Sequence, residues 1–458
     1  MRPTKKILLI AYHYHPDLQV GAQRTIKYAK YLPQFGWEPH VLTVKSDYYP
    51  QQDTSPPESA CPAYRTGMWP RPDDIYAGLK RVLRRTRSQP EGERARSGVA
   101  AGQSVEKPPT PVWKKSLNTL SLTPDNFSGW FFPATLTAWR LIRKHKYDVI
   151  YTSGPPQTCH MVGWAAHRLT GVRWVIDFRD PWLFPKERDR HVLRLSKKFD
   201  EYFEKQAARQ AALVITTTDE WRDHLKSLYK PLLDHKCHTI VNGFDEDDFG
   251  SEDRTATEKA ADMMKFLHAG NLYAGRDPSA MLEAAGELLT EGFVRPKDVL
   301  FAFYGNSDID MSRINRSIAY HQMEQAVTFA PPVSRSGYLD LLRGADVLIL
   351  VQGETGRVHI PAKAFEYLGT GKEILVLTSE GATKNFMSRF EHVHIADLND
   401  KPAIKERLKT IITRGRSGGF GEAKSSGLKA VTKRQLTAQF AGLLDDIATG
   451  GSSGNSAV

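Results

Sequence analysis

With 458 residues, 40% of them apolar and 25% charged, the chain has the make-up of an ordinary globular protein of two or three domains. That composition excludes collagen-like, fibrous and wholly disordered classes, and no apolar run reaches the roughly 20 residues of a membrane-spanning helix. A net charge of +11 points to an anionic partner, and by itself does not choose among nucleic acid, anionic lipid and a phosphate-bearing substrate.

The chain opens with KILLIA at Lys6, too short an apolar run for a signal peptide. Cys61, Cys159 and Cys237 are odd in number, far apart and without metal-ligand spacing. They read as reduced, buried thiols of a cytoplasmic protein.

Apolar runs then alternate with helical stretches: HVLTV at His40, DVIYTS at Asp148, RWVIDF at Arg173 and LVITTT at Leu213. A second series follows with KFLHAG at Lys265, LFAFYG at Leu300, VTFAP at Val327, DVLILV at Asp346 and EILVLT at Glu373. Near-continuous apolar strands separated by helices predict parallel sheets buried on both faces. Each series begins with a strand, a glycine-bearing loop and an amphipathic helix. The first helix carries Ile26, Ala29, Leu32 and Phe35 on one side, and the second carries Met281, Leu282, Ala285, Leu288 and Leu289.

The expected fold class is therefore α/β, with two doubly wound Rossmann-like domains facing across a cleft and ligands at the carboxyl ends of their strands. The domains are expected over 1–240 and 241–425, with a hinge near VNGFDEDDF at Val241, a C-terminal helix over 426–448 and a flexible tail over 449–458. An insertion over about 51–110, rich in proline, arginine, serine and glycine, is expected to be partly disordered. Within it, 73–87 reads as a basic amphipathic helix, with Ile75, Tyr76, Leu79, Val82 and Leu83 on one face. Two readings stand for it: a membrane-surface element, or a surface helix packed on its own domain.

Chemistry is expected in the second series. In HAGNLYAGRDPSAMLEA, Gly270 lets the backbone turn closely and Arg276 stands just before a helix, which makes an anion site. In IPAKAFEYL, Pro361 suits a first helical turn, Lys363 would aim its ammonium at the same anion and Glu366 would accept from a ribose diol. The plainer alternative is an ordinary first-turn charge pair, with glutamate favoured by the helix dipole. The DID at Asp308 reads as a helix cap and not as a metal pair. His160 reads as packing beside Cys159.

Taken in order, HPDLQVGAQR (His15 to Arg24), VNGFDEDDF, HAGNLYAGRDPSAMLEA and IPAKAFEYLGTGKEILVL resemble the group-one, family-four retaining nucleotide-sugar glycosyltransferases of the GT-B fold. PDNFSGWFFPA at Pro124, DVIYTSGPPQTCHMVG at Asp148 and WVIDFRDPW at Trp174 resemble a subgroup that makes bacterial surface polysaccharides. The resemblance implies sugar transfer, with retention and without metal or cofactor, from a nucleotide-diphosphate sugar to a saccharide or lipid-linked saccharide. The place would be the cytoplasm or the inner face of the plasma membrane, where an anionic membrane surface is a further partner and nucleic acid is not.

Residue by residue, the resemblance assigns Gly21 to the first glycine loop, and Gly270, Asn271, Arg276 and Lys363 to the donor diphosphate. Glu366 falls to the ribose. Val358 stands where the family keeps its first glutamate, so Glu354 is the substitute for sugar contact. Arg179 and Asp180 occupy the loop of the family's histidine and are the catalytic candidates, with a structural ion pair as their alternative. Two rival readings remain open: a catalytically degenerate GT-B binding protein, and a nucleotide-sugar epimerase of the same fold.

Overall fold

A computed structural model describes residues 4–76, 79–80, 111–183, 192–249, 263–273, 275–353, 357–420 and 425–449. The chain divides into two compact units. The first comprises Met1–Ile215, Lys226–His238 and Leu443–Val458, and the second comprises Thr216–Leu225 and Thr239–Gly442.

The first unit is built on a seven-stranded sheet in the order β3-β2-β1-β4-β5-β6-β7. Its strands are β1 (Lys5–Ile10), β2 (Trp37–Val44), β3 (Ala63–Thr66), β4 (Val149–Gly154), β5 (Arg173–Phe178), β6 (Leu213–Thr216) and β7 (Cys237–Thr239). The second unit holds a six-stranded sheet in the order β10-β9-β8-β11-β12-β13. Its strands are β8 (Met264–Ala269), β9 (Val299–Tyr304), β10 (Val327–Ala330), β11 (Val347–Gln352), β12 (Glu373–Thr378) and β13 (Val393–Ala396). Both orders are doubly wound, with the reversal at β1/β4 and at β8/β11. The loops leaving those strand pairs are where such sheets hold ligands.

The apolar runs are continuous because each strand feeds two cores. In the second unit Phe266, Val347, Ile349, Val351, Leu375 and Leu377 pack on one face. Leu267, Leu348, Leu350, Ile374 and Val376 pack on the other, as a period of two requires. Met281, Leu282, Ala285 and Leu288 lie in the first of these cores, as their helical spacing predicts.

Three strands carry no such signal. β3, β7 and β13 are short, and β3 lies inside the stretch expected to be irregular, where its register with β2 pairs Val41 with Ala63 and Val44 with Thr66. Backbone hydrogen bonds to a formed neighbour hold an edge strand without any apolar alternation. Of the expected basic helix, residues 72–76 and 79–80 are helical, and 77–78 and 81–87 lie outside the described residues. The DID reading holds: the Asp310 carboxylate accepts from the Ser312 N–H at 2.9 Å at the head of Met311–Tyr320.

Candidate functional site

In the second unit the loop after β8 and the helix after β11 meet at the reversal point. The helix Ala362–Thr370 begins at Pro361 and ends at Gly371, whose φ of 68° is left-handed. Ala364, Phe365, Tyr367 and Leu368 form its buried stripe, which leaves Lys363 and Glu366 at the margin. Tyr367 docks the helix on β8, accepting the Ala269 N–H at its phenol oxygen at 3.2 Å.

That docking drives the Lys363 side chain over Gly270. A Cβ on Gly270 would stand 1.7 Å from Nζ and 2.4 Å from Cε of Lys363, and the φ of 148° also favours glycine. Gly353, after β11, is pressed on Gly275, whose carbonyl oxygen would lie 2.0 Å from an added Cβ. These loops therefore present backbone and cations in one place with no side-chain bulk between them.

Arg276 is the second cation. Its guanidinium donates to Gln352 Oε1 at 2.8 Å and sits 4.5 Å from the centroid of the Tyr273 ring. Burial and then repulsion from Arg276 push the Lys363 ammonium down to about 8, against an upward pull from Glu366. Burial lowers Arg276 as well. Two buried cations, one of them lowered by the other, at a helix head with no side-chain cap, make a site suited to an anion. His268, at the end of β8, is kept neutral: burial and then Lys363 push it down to about 3. Its Nδ1 lies 3.0 Å from the Ile349 carbonyl oxygen.

Several expectations are modified. The helix Ser279–Thr290 does not offer a bare head, because Asp277 accepts the Ser279 N–H at 2.8 Å. Asn271 is exposed and serves the loop, its Oδ1 accepting the Asn306 N–H at 3.1 Å. Both oxygens of Glu366 are engaged, by Arg335 Nη1 at 2.7 Å and by the Tyr338 hydroxyl at 2.6 Å. Each oxygen keeps a second lone pair, so Glu366 can still accept from a diol, now in a fixed orientation. Glu354 lies outside the described residues. The Val358 carbonyl accepts from the Thr218 hydroxyl at 2.7 Å. His268, Gln352, Tyr273, Arg335 and Tyr338 were not singled out by sequence, since only the fold brings them to the two motifs.

The first unit ties Arg179 to backbone carbonyls. Its guanidinium donates to the carbonyl oxygens of Gly21 at 2.6 Å, Gly154 at 3.3 Å and Pro155. A Cβ at Gly21 would meet Nη1 at 2.4 Å. Arg179 is thus a strut between the first glycine loop and the GPP loop. Asp180 beside it is exposed. Arg24 and Asp177 form a buried pair, with Nε donating to Oδ2 at 2.6 Å. Tyr151 donates its hydroxyl to the same carboxylate. Asp125, from PDNF, caps the helix Thr158–Thr170 by accepting the Thr158 N–H at 2.8 Å and the Thr158 hydroxyl at 2.7 Å. His160 is buried with Nδ1 3.0 Å from the Thr152 hydroxyl, and burial followed by Arg179 pushes it down to about 3. It belongs to the packing, as expected.

Residues 21–243 match the family model described as "Glycosyl transferase 4-like domain". No curated protein matches the sequence. Among solved structures, sucrose-phosphate synthase from Thermosynechococcus elongatus is similar with a TM-score of 0.60 at 15% identity, over 98% of this chain and 100% of its own. The alpha,alpha-trehalose 6-phosphate synthase of Burkholderia multivorans reaches 0.61 at 10% identity, over 99% and 100%. Anabaena HepE, solved in complex with UDP, reaches 0.54 at 14% identity, over 97% and 99%. With the doubly wound order of both sheets, these matches identify residues 21–243 as a glycosyl transferase 4-like domain in a chain of the two-domain GT-B fold.

Proposed function

We propose that the chain transfers a glycosyl group from a nucleoside-diphosphate sugar to a hydroxyl of a saccharide or lipid-linked saccharide, with retention, in the assembly of a bacterial surface or exopolysaccharide. The observation that carries this reading is the Lys363 ammonium lying on the bare Gly270 backbone beside Arg276, at the reversal point of the second sheet. A diphosphate leaving group develops negative charge as the glycosidic bond breaks. Cations fixed beforehand in a site of low dielectric stabilise that charge without reorganising. The countercharge comes from these side chains and the helix head, in a reaction that draws on no metal ion. Glu366, oriented by Arg335 and Tyr338, takes the ribose diol. Solved complexes of Anabaena HepE with UDP and with UDP-glucose support a uridine nucleotide as the first donor to try.

The test is thermal unfolding of the full chain against a panel of uridine and guanosine nucleotides. A ligand bound only by the native state at about 100 times its Kd adds about 2.7 kcal/mol, so a clear upward shift is expected with a diphosphate and little in Arg276→Ala. No shift with any nucleotide rules the donor site out and leaves a degenerate fold, and an equal shift in Arg276→Ala places nucleotide binding away from Arg276 and overturns the site as drawn.

The reading also fixes a pH dependence. Lys363 is charged below about 8 and loses its proton as the pH rises through that value. Nucleoside-diphosphate affinity should therefore fall above pH 8, by up to about tenfold per pH unit, until the higher pKa of the bound state is reached. Titration calorimetry at about pH 7 and about pH 9.5 measures it. Lys363→Arg, which stays charged, should flatten the profile, and an unchanged slope in that variant would contradict the assignment.

A further inference from the structure

Arg276 is held by a neutral partner. Its guanidinium donates to Gln352 Oε1 at 2.8 Å and lies 4.5 Å from the centroid of the Tyr273 ring, and no carboxylate pairs with it among the described residues. Arg24 and Arg335, by contrast, each meet a carboxylate, that of Asp177 at 2.6 Å and that of Glu366 at 2.7 Å. The acid next in sequence, Asp277, is engaged by Ser279, whose N–H and hydroxyl it accepts.

Gln352 is built into this place. It is the last residue of β11, its main chain is in register with Thr378 of β12, and its side chain is buried, the residue being 5% exposed. The next residue, Gly353, lies against the Gly275 carbonyl, so the chain bearing the glutamine touches the chain bearing the arginine at two successive residues. A guanidinium offers only N–H donors, which fixes the amide with its oxygen toward Arg276. A buried side chain committed to one partner, at the end of a paired strand, is the support that holds a ligand-binding group in place.

The amide matters because a carboxylate would do something different there. Glutamate has the same length, and its charge-assisted bond to the guanidinium would be the stronger one. It would also cancel the charge that an anionic ligand needs. Glutamine gives Arg276 a direction and leaves its charge in place.

We infer that Gln352 is a positioning residue of the anion site: it aims Arg276 through a hydrogen bond and, being neutral, keeps the charges of Arg276 and Lys363 for the diphosphate of the nucleotide. The inference rests on the donor-site reading above and adds to it a residue that lies outside both motifs.

The experiment is calorimetric titration of the full chain and two variants with uridine and guanosine diphosphates, together with a thermal scan of each ligand-free protein. Gln352→Glu is expected to bind on the order of 100-fold more weakly, because a carboxylate then stands beside the phosphates. Its ligand-free form should unfold no lower than wild type, because two buried cations gain a countercharge. Gln352→Met, which keeps the length without an acceptor or a charge, should lie between, about three- to tenfold weaker than wild type. A residue that served folding alone would lower unfolding temperature and affinity together, so a destabilised Gln352→Glu overturns the inference. So does Gln352→Glu that binds like wild type, and so does Gln352→Met that binds either like wild type or as weakly as Gln352→Glu. A wild-type chain that binds neither nucleotide removes the donor site itself and this role with it, whereas tight wild-type binding that the variants share removes the role of Gln352 alone.

Discussion

Lys363→Met is expected to weaken nucleoside-diphosphate binding on the order of 10- to 100-fold while making the ligand-free protein more resistant to unfolding. The first half follows from losing charge-assisted hydrogen bonds to a phosphate, each worth about 1.5–3 kcal/mol. The second follows from the site's own geometry. In the free protein the ammonium is withdrawn from water and repelled by Arg276, and it makes no ion pair among the described residues. Methionine of similar length fills the space above Gly270 without either cost. A lysine kept for structure would behave the other way, losing stability on replacement. Calorimetric titration with a nucleoside diphosphate, together with a thermal scan of the free variant, distinguishes the two, and a destabilised variant that binds normally would remove Lys363 from the site.

How far this was legible in the sequence depends on whether a feature is local. DVLILV and EILVLT announce buried parallel strands because each residue contributes to one of two cores, and the signal repeats along the chain. The two motifs at Gly270 and Lys363 are likewise local patterns, and the strand order then accounts for their meeting. What the pattern does not contain is that the ammonium occupies the volume of an absent Cβ, since this depends on how Tyr367 seats the helix on β8. Glu366 shows the same limit. Its partners Arg335 and Tyr338 come from a different helix, 31 and 28 residues earlier, and nothing in IPAKAFEYL indicates them. Arg179 was the least legible. An arginine beside an aspartate suggests charge chemistry, and nothing in the local sequence indicates the backbone carbonyls of Gly21 and Gly154 to which it donates. The edge strand β3 eluded pattern for the related reason that backbone pairing holds it.

Asp177→Ala is expected to destabilise the first unit by about 3–5 kcal/mol, the usual consequence of leaving one member of a buried ion pair uncompensated. Asp177 is fully buried, and its carboxylate accepts from Arg24 Nε at 2.6 Å and from the Tyr151 hydroxyl. Alanine would take the carboxylate away from a buried guanidinium that lies 5.4 Å from the Tyr28 ring. Asp177→Asn, which keeps an acceptor and removes the charge, should fall between alanine and wild type. Arg24→Met/Asp177→Leu, which removes both charges, should recover much of the loss, and the double-mutant cycle isolates the pair itself. The consequence extends to the glycine loop. Arg24 lies three residues after Gly21, and Asp177 two residues before Arg179, which holds the Gly21 carbonyl. The pair and the strut therefore both fasten the glycine loop and the helix after it to β5 and its end. Denaturant midpoints measure the loss, and nucleotide titration of the second unit should remain near wild type. Equal midpoints for Asp177→Ala and wild type would show that the loop is held without the pair, by Arg179 alone.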